Sequence, residues 1–221
     1  MNLVERLDQG PVLCAEGYLF EMEKRGYLQA GAFVPEVVLE HPEVVTQLHR
    51  EFIRAGSDVV QAFTYYGHRE KLRLIGKEDL LEPLQKNALK IAKDAANEFP
   101  ELDLMIAGDV ANTNIYDPSD SQSIVEVEKM YEEQIAWAKE AGVDFVIAET
   151  IQWTGEALIA LKKIKEAGLI AVVNLAIPAN DLTRDNHTPE DACKMFEDNG
   201  AEVVGLNCFR GPVHTMKHLI N

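Results

Sequence analysis

The run Val203-Val204-Gly205-Leu206-Asn207-Cys208 is apolar until it closes on an amide and a thiol. A strand of this kind presents its last residues at one rim of a sheet, where a thiolate serves as nucleophile or soft metal ligand. Zinc takes three or four protein ligands, so Cys208 alone is insufficient, and the chain holds no Cys-x-x-Cys and no adjacent cysteine pair. His68, His187 and His214 are suitable in type, yet none has a convincing spacing to Cys208. Glu149 closes a second run, Asp144-Phe145-Val146-Ile147-Ala148. A carboxylate there is partly desolvated, which is costly unless it faces a cation: a substrate amino group, or a neighbouring Lys or Arg. Glu16 occupies the corresponding place after the first strand and has the same two readings; Asp109 reads as a helix or loop cap rather than a ligand. Tyr65, Tyr66 and Phe33 can surround a methylated cation by cation–π attraction or simply pack. Cys14 and Cys193 read as packing residues.

These residues need elements to place them, and a recurring phrase supplies the pattern. Ala55-Gly56-Ser57-Asp58-Val59-Val60, Ala141-Gly142-Val143-Asp144-Phe145-Val146, Ala167-Gly168-Leu169-Ile170-Ala171-Val172 and Asn199-Gly200-Ala201-Glu202-Val203-Val204 each read as a helix end, a glycine stop and a buried strand. Strands are expected near 11 to 15, 58 to 64, 103 to 108, 144 to 149, 170 to 175 and 202 to 207, each followed by a helix. Ser123 with Glu126 reads as a capping box, Thr188-Pro189-Glu190 as an N-cap with proline at the first helical position, and Pro83 as a helix opening. His41, before Pro42, helps begin another helix. Repeated βα units give an open doubly wound sheet or a closed (β/α)8 barrel. No Gly-x-Gly-x-x-Gly turn follows the first strand, and polar residues gather at several strand ends, so the expectation is the α/β class of the (β/α)8 TIM-barrel type, with about six βα units in this chain.

At 221 residues, the length suits one domain, read as 1–221. The charge balance of 21 − 37 = −16 argues against nucleic acid or an anionic membrane as partner. Three scattered cysteines, no long uncharged apolar run, and an opening Met1-Asn2-Leu3-Val4-Glu5-Arg6 unlike a signal peptide lead to the expectation of a reduced, cytoplasmic protein.

Longer segments carry a resemblance. Glu23-Lys24-Arg25-Gly26-Tyr27, Glu40-His41-Pro42-Glu43-Val44-Val45, Gln47-Leu48-His49-Arg50-Glu51-Phe52, Phe145-Val146-Ile147-Ala148-Glu149 and Gly205-Leu206-Asn207-Cys208 closely resemble the homocysteine S-methyltransferase family, particularly its betaine–homocysteine branch. The resemblance covers essentially the whole chain and implies a (β/α)8 barrel that transfers a methyl group to homocysteine, giving methionine, with Zn2+ held by three cysteines. Cys208 matches the first of these; the other two form an adjacent pair late in the barrel, beyond Asn221. Glu149 matches the carboxylate that binds the homocysteine amino group. The family's Gly-Asp-Gly-Gly at the first strand end is replaced by Cys14-Ala15-Glu16-Gly17, with Glu16 as the substitute acid. The Trp and two Tyr that line the donor site of the betaine branch correspond to Phe33, Tyr66 and Thr150, so one aromatic is unchanged.

The implied partners are homocysteine and a small methylated onium donor, betaine or a sulfonium; a homo-oligomer is compatible with this reading. The alternative is an incomplete, non-catalytic homocysteine-binding or scaffold barrel lacking the full zinc site, whose first and sixth strands would present unpaired edges.

Overall fold

The computed structural model describes residues 1–28 and 34–219. Along the chain come α1 (Leu3–Leu7), α2 (Tyr18–Lys24), α3 (Val37–Glu40), α4 (Pro42–Arg54), β1 (Val59–Gln61), α5 (Arg69–Leu74), a 3-10 turn at Glu78–Leu80 and α6 (Leu81–Asn97). There follow β2 (Met105–Ala111), α7 (Ser121–Ala141), β3 (Phe145–Ile151), α8 (Thr154–Glu166), β4 (Ile170–Leu175), α9 (Pro189–Asp198), β5 (Val203–Leu206) and α10 (Pro212–Leu219). The strands form one sheet in the order β1-β2-β3-β4-β5, with Val59 opposite Met105 in the parallel β1/β2 pair and Val172 opposite Val203 in the parallel β4/β5 pair. Parallel neighbours need long crossovers, which the helices between them provide.

Five of the six expected strands are present. The segment near 11 to 15 contributes only an isolated bridge, Cys14 to Val59. Pro11 has no N–H to donate, and the Leu13 and Ala15 N–H groups donate to side chains, Asp58 Oδ2 at 2.8 Å and Ser57 Oγ at 3.0 Å, instead of joining a ladder. The glycine stops behave as read: Gly142 and Gly168, both at φ 76°, follow α7 and α8 in the left-handed region that a Cβ disfavours. Thr188 caps α9 by accepting from the Asp191 N–H at 3.1 Å. Ser123 does not start a helix. The helix begins at Ser121, the Asp120 carboxylate accepts from the Gln122 N–H at 2.9 Å, and the Ser123 hydroxyl accepts from the Asp117 N–H at 2.7 Å.

The chain divides into two compact units, Met1–Asp109 with Ala136–Phe145, and Val110–Ile135 with Val146–Asn221. In the first, α4 buries Val45, Leu48, His49 and Ile53, and α6 buries Leu84, Ala88, Ile91 and Ala95, on helical faces that continue a core with Tyr18, Met22 and Phe63. Tyr18 stacks on Phe63 at 5.7 Å between ring centroids and meets the edge of Phe52 at 5.0 Å. In the second, α8 packs on β4 and α9 on β5, burying Leu161, Ile164 and Phe196 beside Val173 and Leu175. Gly205 lies opposite Asn174, and a Cβ there would lie 2.9 Å from the Asn174 amide oxygen and push that side chain aside. Among the described residues no helix is long and apolar enough to cross a membrane.

Candidate functional site

Two strand ends of the second unit meet through one side chain. The Asn207 amide donates to Glu149 Oε2 at 2.7 Å and to Thr150 Oγ1 at 3.1 Å, and its oxygen accepts from the Thr150 N–H at 3.0 Å. Glu149 is 7% exposed, so its carboxylate has lost most of its water. A neutral amide orients that carboxylate without adding a charge of its own, and a carboxylate at this place has the chemistry to receive an ammonium group.

Thr150 sits at φ 58° although it is β-branched, and Cys208 sits at φ 61°. Non-glycine residues enter this region at a cost of about 1–3 kcal/mol and persist only where surrounding contacts over-determine them, a pattern concentrated at functional sites. For Thr150 those contacts include two bonds with Asn207, one donated by the Asn207 amide and one by the Thr150 N–H. Cys208 is exposed beyond the end of β5, directly after Asn207, and none of the three cysteines is in a disulfide. Cys193, on α9, is half-buried, and burial pushes its thiol up to about 11, consistent with packing rather than reactivity.

The second unit holds another buried carboxylate. Glu156, on α8, accepts from the Thr113 N–H at 2.7 Å and the Thr113 hydroxyl at 2.5 Å, and burial pushes its carboxyl above the usual range. Next to it lies a cavity of about 130 Å³ lined by Asn112, Asn114, Tyr116, Trp153 and Arg184. Asp185 caps α8, accepting from the N–H groups of Thr154 and Gly155, both at 2.9 Å. Burial alone would raise the Asp185 carboxyl; those N–H donors outweigh it and hold the group low.

In the first unit, Glu16 is exposed directly before Gly17, the N-cap of α2. Tyr66, at φ 58°, lies 4.3 Å from Tyr65 between ring centroids. Its face is already in use: the Lys71 ammonium stands 4.0 Å from the Tyr66 centroid, and burial lowers the pKa of that lysine. His68 is the N-cap of α5. Asp109 lies inside β2 and is buried. Phe33 lies outside the described residues.

Glu149 and Cys208 are legible as strand-end residues; the clamp by Asn207 is signalled in the sequence only by an asparagine closing a buried strand. The left-handed backbone at Thr150 had no signal in the sequence.

A parallel α/β sheet with carboxylate, amide and thiol at its strand ends is scaffolding on which many reactions are built, and family membership narrows it. The profile described as homocysteine S-methyltransferase matches residues 17–221, and the chain belongs to that family. It is 39% identical over 218 residues to betaine–homocysteine S-methyltransferase 1 of Xenopus tropicalis, covering 96% of this chain and 52% of that protein. It is 34% identical to the S-methylmethionine–homocysteine S-methyltransferase BHMT2 of Pongo abelii, over 98% of this chain and 57% of that one. The chain thus spans about half the length of these relatives. The homocysteine methyltransferase MmuM of Escherichia coli, solved in a metallated form, shares the fold with a TM-score of 0.83 at 19% identity, over 97% of this chain and 80% of that one.

Proposed function

We propose that this chain supplies the homocysteine-binding part of a (β/α)8-barrel methyltransferase that moves a methyl group from a small methylated onium donor, betaine or a sulfonium, to the homocysteine thiol, forming methionine. The observation that carries the reading is the desolvated Glu149 carboxylate on β3, fixed by Asn207, which Cys208 follows directly beyond the end of β5. In this reading Glu149 takes the substrate ammonium and Asn207 keeps the carboxylate aimed. Glu16 and Tyr66, together with Phe33, keep the roles that the family resemblance gives them, the acid toward the amino acid and the rings toward the donor.

Cys208 fits zinc by the chemistry of its donor, an exposed thiol just beyond a strand end that binds the metal as thiolate. Among the described residues no group of three metal-binding side chains includes it, so the remaining ligands are proposed to lie outside them. Bound zinc would keep the substrate thiol as thiolate. In the displacement the sulfur forms its bond to the methyl carbon as the carbon–nitrogen or carbon–sulfur bond to the donor breaks, and the leaving group keeps the electron pair. Holding the two reactants in line supplies much of the acceleration.

The test is methionine formation and zinc content of the protein that carries this chain, compared with Cys208→Ala. Loss of both in the variant is expected. Unchanged zinc with unchanged methionine formation would overturn the assignment.

A further inference from the structure

We propose that Asp181, His214 and His218 form a site for a divalent transition-metal ion of the zinc, cobalt or nickel class, built without Cys208. His214 and His218 are four residues apart on α10, the spacing that puts two imidazoles on one helical face. Their ring centroids are 5.5 Å apart. Both aim Nε2 at the same carboxylate oxygen: Asp181 Oδ1 lies 2.8 Å from His214 and 3.6 Å from His218. One ligand atom from each of the three residues falls within 4.8 Å of the others. Ligand atoms about 2.0–2.1 Å from a tetrahedral ion stand about 3.4 Å from one another. The observed distances, 2.8 and 3.6 Å to Asp181 Oδ1 with all three atoms within 4.8 Å, bracket that spacing.

The donor set selects the ion. Two imidazoles and one carboxylate suit zinc, cobalt or nickel, whereas calcium and magnesium require oxygen donors throughout. His218 presents its other nitrogen, Nδ1, 3.8 Å from Glu190 Oε1 on α9. A carboxylate behind a ligating histidine orients the ring and raises its basicity. Asp181 is held at φ 60° by a turn in which its N–H donates to the Pro178 carbonyl at 3.1 Å. All three ligands are half-exposed, so an ion can enter, and three protein ligands leave a position for water. The consequence is a metal tie between α10 and the loop after β4.

The test is cobalt(II) titration of untagged, chelator-stripped protein, comparing wild type with His214→Ala, His218→Ala, Asp181→Asn and Cys208→Ser. One equivalent without thiolate-to-metal charge-transfer absorbance is expected, lost in the first three variants and kept in Cys208→Ser. Hyperfine-shifted proton resonances from two histidine rings in the cobalt wild-type protein would support the site without relying on the folding of any variant. Full retention of that equivalent in both histidine variants, its loss in Cys208→Ser alone, or the absence of shifted histidine resonances would overturn the proposal.

Discussion

Asn207 and Glu149 lie 58 positions apart in the chain and 2.7 Å apart in space, amide nitrogen to carboxylate oxygen. The bond crosses from the end of β5 to the end of β3, and the same amide also holds the backbone of Thr150. A hydrogen bond to a charged acceptor contributes roughly 1.5–3 kcal/mol, so Asn207→Ala is expected to weaken homocysteine binding roughly 10- to 100-fold. Calorimetric titration with homocysteine checks this. Asn207→Asp, which places a second negative charge beside Glu149, is expected to raise the Glu149 pKa and to make binding fall off as pH is lowered.

Lys71 and Tyr66 make a competing prediction about the donor. A cation already covers one face of the tyrosine ring. If that ring serves an onium donor, Lys71→Met frees the face and tightens betaine binding roughly 2- to 30-fold, the range for cation–π contacts from exposed to desolvated. Tyr66→Ala is expected to act in the opposite sense. Weaker betaine binding in Lys71→Met would mean that the ring is structural.

His49 sets an acid limit on stability. It is buried against Tyr18, whose hydroxyl lies 3.0 Å from Nδ1, and burial lowers its pKa from 6.5 to about 3. The unfolded chain therefore binds the extra proton first as pH falls below 6.5. Stability is fully present above that value and is lost progressively down to about 3, with a cost of about 2 kcal/mol at pH 5. Urea unfolding at pH 7 and pH 5 should show this loss in the wild type, and His49→Gln should shrink the difference.

Much of this architecture was legible because it rests on local rules. Gly142 and Gly168 stop helices, Thr188 starts one, and the apolar runs at 144 to 149, 170 to 175 and 202 to 207 become strands near the expected places. Local rules failed where a partner distant in sequence took over. Asp58 and Ser57 capture the N–H groups near Leu13 and Ala15, so the first expected strand shrinks to a bridge. The site followed the same division: Glu149 and Cys208 stand out by their position after apolar runs. Asn207 as a clamp, Lys71 over Tyr66, and the pairing of His214 with Asp181 depend on approaches across 58, 5 and 33 positions, which spacing does not encode. His214 has no useful spacing to Cys208; its partners in the fold are Asp181 and His218.

The central claim is that Glu149 binds the amino group of homocysteine. Its most direct test is a binding cycle with two ligands, L-homocysteine and the analogue lacking the amino group, 4-mercaptobutanoate, against wild type and Glu149→Gln. Removing one partner of a buried charge pair costs about 3–5 kcal/mol, so Glu149→Gln is expected to weaken homocysteine at least about 100-fold while leaving the analogue nearly unchanged. Equal losses for the two ligands, or no loss for homocysteine, would contradict the account.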